Sequence, residues 1–279
     1  MDLAASANID METLPRLFNF LKAKVSLNEL EQEIKKDPTL LQDINVPTAR
    51  KGTPLLYCTV SRSLTKAQLL LSHGADPNIP STLTKYNYMV PITPMFIACG
   101  VGFLPLAVEL LAHGGTLVGK LENEIDGVPS IDLLGYTFYR MYRHGDPIPV
   151  LHWLFKETKA RGQFDQLNLN LHIPGAIDKT LLGIAYHSKL WASAFVLLQN
   201  GADPNQVDKD GWAPLHTACT NDNGPEALLL MLHGANDALR TTDDQSWMPP
   251  EKANAQTNNF VKNGAVYRRY LSKLPPGSN

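Results

Sequence analysis

Apolar residues along this chain gather in short runs that end on a leucine pair followed by glycine. Four such runs stand out: Leu69-Leu70-Leu71 before Gly74, Leu110-Leu111 before Gly114, Leu197-Leu198 before Gly201, and Leu229-Leu230 before Gly234. Each has helical spacing, and the glycine supplies the left-handed residue that closes a helix. A second kind of run precedes each of them. It reads GTPLLYC from Gly52 to Cys58, ITPMFIAC from Ile92 to Cys99, TLLGIA from Thr180 to Ala185 and GWAPLHTAC from Gly211 to Cys219. Threonine there can cap a helix with its hydroxyl, and proline at the first helical position gives up no needed N–H. The pattern predicts pairs of short helices, written several times over.

The closest internal echo is LLSHGADPN (Leu70–Asn78) against LLQNGADPN (Leu197–Asn205), identical at seven of nine positions and 127 residues apart. A turn, a T-P-L-H-x-A helix start and a second helix closing on G-A-D-x-N resemble the ankyrin-repeat family. Measured between helix starts, the steps are 53 to 93, 93 to 129, 129 to 180 and 180 to 213, or 40, 36, 51 and 33 residues. The family unit is about 33 residues. The first three steps sum to 127, so the two echoes lie three repeats apart with roughly 28 residues inserted between them, against that period. One helix pair cannot bury its own apolar face, and stacked copies build a continuous core.

The resemblance implies an all-α fold, an ankyrin-repeat solenoid of about six to seven helix pairs with two insertions and atypical end caps. A single domain is expected over residues 1–279. Within it, residues 1–51 read as an N-terminal capping helix pair, 52–245 as repeats with insertions near 79–91 and 136–178, and 246–279 as C-terminal capping helices with a basic tail. The stretch DGVPSIDLL (Asp126–Leu134) keeps only Asp-Gly and the apolar spacing of a repeat start. It is assigned as one, starting at Pro129.

Composition adds exclusions. With 44% hydrophobic and 19% charged residues the chain is of globular type, and its net charge of −2 gives no basic field for nucleic acid. No secretory signal is visible at the N-terminus, and no run approaches the roughly 18 apolar residues of a membrane span. Cytoplasmic localisation is expected. Charge is uneven, however: residues 201–251 hold nine acidic and two basic side chains, whereas 252–279 hold five basic and no acidic ones. The basic Tyr267–Tyr270 end suits either an acidic partner or packing against the acidic last full repeat, and the second is expected.

Candidate chemistry is sparse. Cys58, Cys99 and Cys219 occupy the small-residue positions of the T-P-L-H-x-A-A pattern, which suits packing between helices. His216 stands at the family's own histidine position, where its ring can bond backbone in the adjacent turn. One His-x-x-Cys is a weak metal signal, so neither metal nor cofactor is expected. His73, His113 and His233 each precede a closing glycine, a placement the helix C-terminus explains. The setting of Asn78 and Asn205 resembles that in which ankyrin asparagines are hydroxylated by the asparaginyl hydroxylase of the hypoxia pathway. Here, though, Pro77 and Pro204 stand where the substrate usually has an aliphatic residue.

Binding surfaces are expected on the concave face, the hairpin tips and the insertions. The first insertion, IPSTLTKYNYMVPI, brings Tyr86, Tyr88 and Met89; the second helix-rich one brings Tyr139, Arg140, Tyr142 and Arg143; Trp212 joins them. Tyrosine and arginine together are common hot-spot chemistry at protein interfaces. LLGYTFYRMYRHG carries more aromatic surface than one helix face is expected to bury. The resemblance therefore implies a monomeric protein-interaction module, with a protein as partner and no nucleic acid. Its irregular, insertion-bearing repeats resemble ankyrin proteins that intracellular bacteria deliver into host cells as effectors. Two alternatives remain at this point: an enzyme with a site in the enlarged middle repeat, and a self-associating scaffold.

Overall fold

A computed structural model describes residues 16–21, 24–48, 51–83, 88–121, 130–142, 145–173, 179–242 and 245–271. Several helices start where a side chain satisfies one of the unpaired N–H groups of the first turn. After α1 (Leu17–Phe20), Ser26 opens α2 (Leu27–Lys36) with a reciprocal box: its hydroxyl accepts from Glu29 N at 3.2 Å, and Glu29 Oε2 accepts from Ser26 N at 2.7 Å. A 3-10 turn, Pro38–Asp43, follows. Thr53 caps α3 (Pro54–Val60) through Leu56 N, and α4 (Leu64–Ser72) completes that pair.

The first insertion folds into an antiparallel hairpin of β1 (Ser81–Leu83) and β2 (Tyr88–Ile92), pairing Ser81 with Ile92 and Leu83 with Tyr88. It lengthens the finger that leads into α5 (Pro94–Gly100) and α6 (Leu104–Ala112). A shorter hairpin, β3 (Lys120–Leu121) with β4 (Ile131–Asp132), leads into α7 (Leu133–Met141). The second insertion gives α8 (Ile148–Ala160) 13 residues where α4 and α6 have nine, and adds a 3-10 turn at Phe164–Gln166. Strands β5 (His172–Ile173) and β6 (Lys179–Thr180) then deliver α9 (Leu181–His187) and α10 (Trp191–Gln199). The chain closes with α11 (Pro214–Thr220), α12 (Gly224–Leu232), α13 (Pro249–Lys252) and α14 (Ala255–Leu271).

Seven helix pairs are therefore seen among the described residues, with only short two-stranded hairpins between them. One start differs from its expectation. The third repeat helix begins at Leu133, where Asp132 Oδ1 accepts from Gly135 N at 2.7 Å, and not at Pro129, which lies outside the described residues. Aspartate caps as well as threonine does. The helix-start steps become 53 to 93, 93 to 132, 132 to 180 and 180 to 213.

The chain divides into two compact units, Met1–Ala98 with Pro105–Thr116, and Cys99–Leu104 with Leu117–Asn279. In both units the second helices end alike. Gly74, Gly114, Gly201 and Gly234 each donate to the carbonyl three residues back, and the next residue donates to the one five back. Gly74 and Gly201 reach this with φ of +86° and +94°, which side chains with a Cβ resist.

The turns that follow answer the opening echo. Asp76 and Asp203 accept from the N–H of Asn78 and Asn205, two residues on. The asparagines then reach the following repeat. Asn78 donates to Gly114 O at 2.9 Å and accepts from Thr116 N at 2.9 Å, all inside the first unit. In the second unit Asn205 does the same with Gly234 O (3.1 Å) and Asn236 N (2.7 Å). Asn45 holds Gly74 O and Asp76 N, and Asn170 accepts from Asp203 N. We predict that Asn205→Ala costs about 1–3 kcal/mol, because it strands one carbonyl and one amide. Asn205→Asp, which keeps only the acceptor, should fall between that variant and the natural chain in urea midpoint; equal midpoints for all three would refute the bridge.

Candidate functional site

The expected contact residues fall on separate elements. Tyr88 and Met89 lie in β2, in the first unit, while Tyr86 and Arg143 lie outside the described residues. In the second unit, Tyr139 and Tyr142 are half-buried and Arg140 is exposed, at or just past the C-terminal end of α7. The structure brings these three together on one stretch of backbone. It does not join them to Trp212, which precedes α11.

The aromatic excess of α7 is largely taken up inside. Leu133 to Phe138 are all buried, with Tyr136 at 2% exposure and Phe138 at 0%. Room for Tyr136 comes from Gly100, where a Cβ would stand 3.1 Å or less from the tyrosine ring. One helix face was too little for these rings, and packing on two sides buries them. Asp132 also ties this helix to the second insertion, since its Oδ2 accepts from Asn168 N at 2.7 Å. Burial pushes its carboxyl above the usual range, and its bonds to Asn168 and Gly135 partly offset this.

Around Trp212 the side chains form a small cleft. Lys179 Nζ and Asp208 Oδ2 pair at 2.5 Å at its edge, while Asp208 Oδ1 accepts from Asp210 N and Trp212 N. Thr180, Gly183 and Thr217 line the rest, leaving about 10 Å³, space for roughly one water. This ion pair, from residues 29 positions apart, escaped sequence reasoning because each partner alone reads as a surface charge. The exposed Val108, Phe195 and Val266 were also missed. Nothing in a local pattern tells an outward apolar position from a core one.

The three cysteines lie in the core, as their small-residue positions lead one to expect. Cys58, Cys99 and Cys219 are each 0% exposed, and burial pushes their thiols up to about 12. A thiol held neutral between helices is a poor nucleophile. Native protein should show no thiol reacting with Ellman's reagent within minutes, and three after unfolding; a fast native thiol would contradict this burial.

His216 is fully buried and its ring is committed on both sides. Nδ1 accepts from Ala213 N at 3.0 Å, so the proton sits on Nε2, which faces Trp247 O at 3.2 Å. The ring stands in for the hydroxyl cap that Ala213 lacks, and it holds the Trp247 carbonyl. Burial holds its pKa below the ordinary histidine range, against its backbone bonds and the nearby Asp208 charge. The remaining expected sites are structural in setting: His73 and His233 end their helices, and His113 Nδ1 faces Glu109 O. Asn78 and Asn205 are half-buried with both amide atoms engaged. Among the described residues no three His, Cys, Asp or Glu side chains group to hold a metal, and no helix is long and apolar enough to cross a membrane.

The basic C-terminal end packs inward in part. Arg268 Nη1 donates to Ala235 O at 2.9 Å and Met231 O at 3.4 Å, satisfying carbonyls at the end of α12.

No model of a known protein family matches the chain. Over 44 residues, 16% of the chain, it is 50% identical to the ankyrin repeat and LEM domain-containing protein 1 homolog of Caenorhabditis elegans; that stretch spans 6% of the worm protein's length. Solved structures similar over most of the chain include the ankyrin repeat domain of Bcl-3, a unique member of the IkappaB protein family. It has a TM-score of 0.61 at 16% identity, covering 89% of this chain and 97% of that one. The human ASB11 ankyrin repeat domain gives 0.53 at 19% identity, covering 90% and 94%. A chain from the complex of the Bdellovibrio bacteriovorus predatory endopeptidase Bd0816 with the immunity protein Bd3460 gives 0.52 at 18% identity, covering 76% and 96%.

Since His216 must be neutral to accept from Ala213, acid should loosen its repeat. Its folded pKa is lowered, so the unfolded chain binds the proton more readily, and this contribution to stability is lost as pH falls below about 6.5. Melting temperatures from pH 8 to pH 5 should fall more steeply for the natural chain than for His216→Gln. Parallel curves would rule out this role.

Proposed function

The chain has the ankyrin-repeat fold, and from that premise we propose that it is a protein-binding module. Fold alone does not assign a function, so the reading rests on surface chemistry. The observation that carries it is the C-terminal end of α7, where half-buried Tyr139 and Tyr142 flank the exposed Arg140. Side chains fixed at the base and accessible at the tip lose little freedom on binding. The β1–β2 finger, with Tyr88 and Met89 in its second strand, is the second contact in this reading. Trp212, half-buried in the cleft that the Lys179–Asp208 pair borders, is the third.

In this reading the chain acts as a monomer and without a cofactor, and it performs no catalysis. Its buried thiols favour that over an enzyme. Delivery into a host cell as a bacterial effector is the finer version. It rests on the irregular repeats, whose steps of 39 and 48 residues flank Asp132, and a translocation reporter fused to the chain tests it.

The binding reading is tested by capture from lysate, comparing the natural chain with Tyr139→Ala/Arg140→Ala/Tyr142→Ala and with Tyr88→Ala/Met89→Ala. All three must first show matching helical circular dichroism and melting. Loss of hot-spot side chains costs about 2 kcal/mol or more each, so the α7 variant should release the partner at least tenfold more readily. A partner retained equally by both variants would overturn the assignment of these surfaces.

A further inference from the structure

We propose that the outward face of α14, centred on Val266 and Tyr267, docks an acidic protein segment that carries apolar side chains. This surface is separate from those above.

The inner face of α14 is spent on α12. Val261 and Thr257 are buried, and at Gly264 a Cβ would stand 2.5 Å from Met231 Cβ, so the two helices touch there. Arg268 then clamps the end of α12 through Ala235 O. The other face comprises Lys262, Asn263, Val266, Tyr267 and Arg269, all exposed. Positions 262, 266 and 269, and likewise 263 and 267, follow the i, i+3/i+4 rule and share one side of the helix.

Two features of this face go against its place in the fold. A helix that packs on one side only carries polar side chains on the side that faces water. Yet Val266 at 65% exposure and Tyr267 at 52% are the most exposed large apolar side chains among the described residues. Tyrosine offers a large contact area on only two rotatable bonds, which suits an interface. Secondly, none of the 17 residues of α14 is acidic, and Lys262 and Arg269 flank the apolar pair.

These charges choose the occupant. A field of one sign selects a partner of the other, so an acidic segment fits, and the Val266–Tyr267 pair asks it for apolar contacts as well. A second copy presenting the same face would set Lys262 and Arg269 against themselves, which disfavours symmetric pairing. An interfacial membrane helix buries a whole apolar stripe in lipid, whereas the apolar stripe of α14 is already committed to α12.

The test uses the full chain and a labelled glutamate–tyrosine random copolymer, with polyglutamate of matched length as control, followed by fluorescence anisotropy at low and high salt. The natural chain should bind the copolymer at least tenfold more tightly than polyglutamate. Val266→Ser/Tyr267→Ser should abolish that preference, and Lys262→Glu/Arg269→Glu should remove the salt-sensitive part of the affinity. Each variant must first match the natural chain in helical circular dichroism and melting. Tyr139→Ala/Arg140→Ala/Tyr142→Ala should bind the copolymer like the natural chain, which keeps this result independent of the α7 reading. The proposal is overturned if Val266→Ser/Tyr267→Ser binds unchanged, if polyglutamate binds equally well, or if phosphatidylserine vesicles capture the chain more tightly than the copolymer does. It is likewise overturned if the α7 variant alone loses the copolymer.

Discussion

The asparagine bridge from one repeat's turn to the next is the interaction on which the rest of this structure depends. Helices of seven to nine residues are too short to stand alone in water. They persist because each pair's apolar face is covered by a neighbour, and the neighbours must be held at one register. Asn78 and Asn205 do this with two hydrogen bonds apiece to backbone of the following turn. An amide is the group that can accept and donate at once in this geometry; aspartate or leucine at either position would leave a carbonyl or an N–H unpaired. The near-identical GADPN sequences are thus the same bridge built twice, once in each unit.

Much of this could be read in the chain before the structure. Leucine pairs ahead of a glycine marked the ends of second helices, and Thr-Pro or Thr-Leu marked the starts of first helices, because capping chemistry is local. Small-residue spacing placed the cysteines in the core. The start of α7 was placed too early for a local reason too: Asp-Gly at 126–127 matches the family's turn in sequence, whereas the cap, Asp132, is followed by no proline. What could not be read was set by distant partners. Tyr136 is buried because Gly100, 36 residues earlier, leaves room for its ring. The Lys179–Asp208 pair and the exposure of Val266 likewise depend on which element lies alongside.

Interior and surface divide the chemistry between them. The thiols are buried and neutral, and the His216 ring is buried, neutral and hydrogen-bonded on both sides. Arg140 and the Val266–Tyr267 pair reach solvent, and Tyr139, Tyr142 and Trp212 do so in part, each seated on backbone that the stack keeps in place. In the proposed reading this arrangement serves recognition, because side chains spread over successive repeats can meet an extended partner.

The central claim is that the turn amides are held by asparagine side chains of the preceding repeat. Native-state hydrogen exchange at Asp76, Thr116, Asp203 and Asn236 reads those four amides directly. The account predicts protection comparable to that of the adjoining helices, lost at Asn236 alone in Asn205→Ala while the α11 core stays protected. Exchange at the rate of an open turn in the natural chain would contradict it.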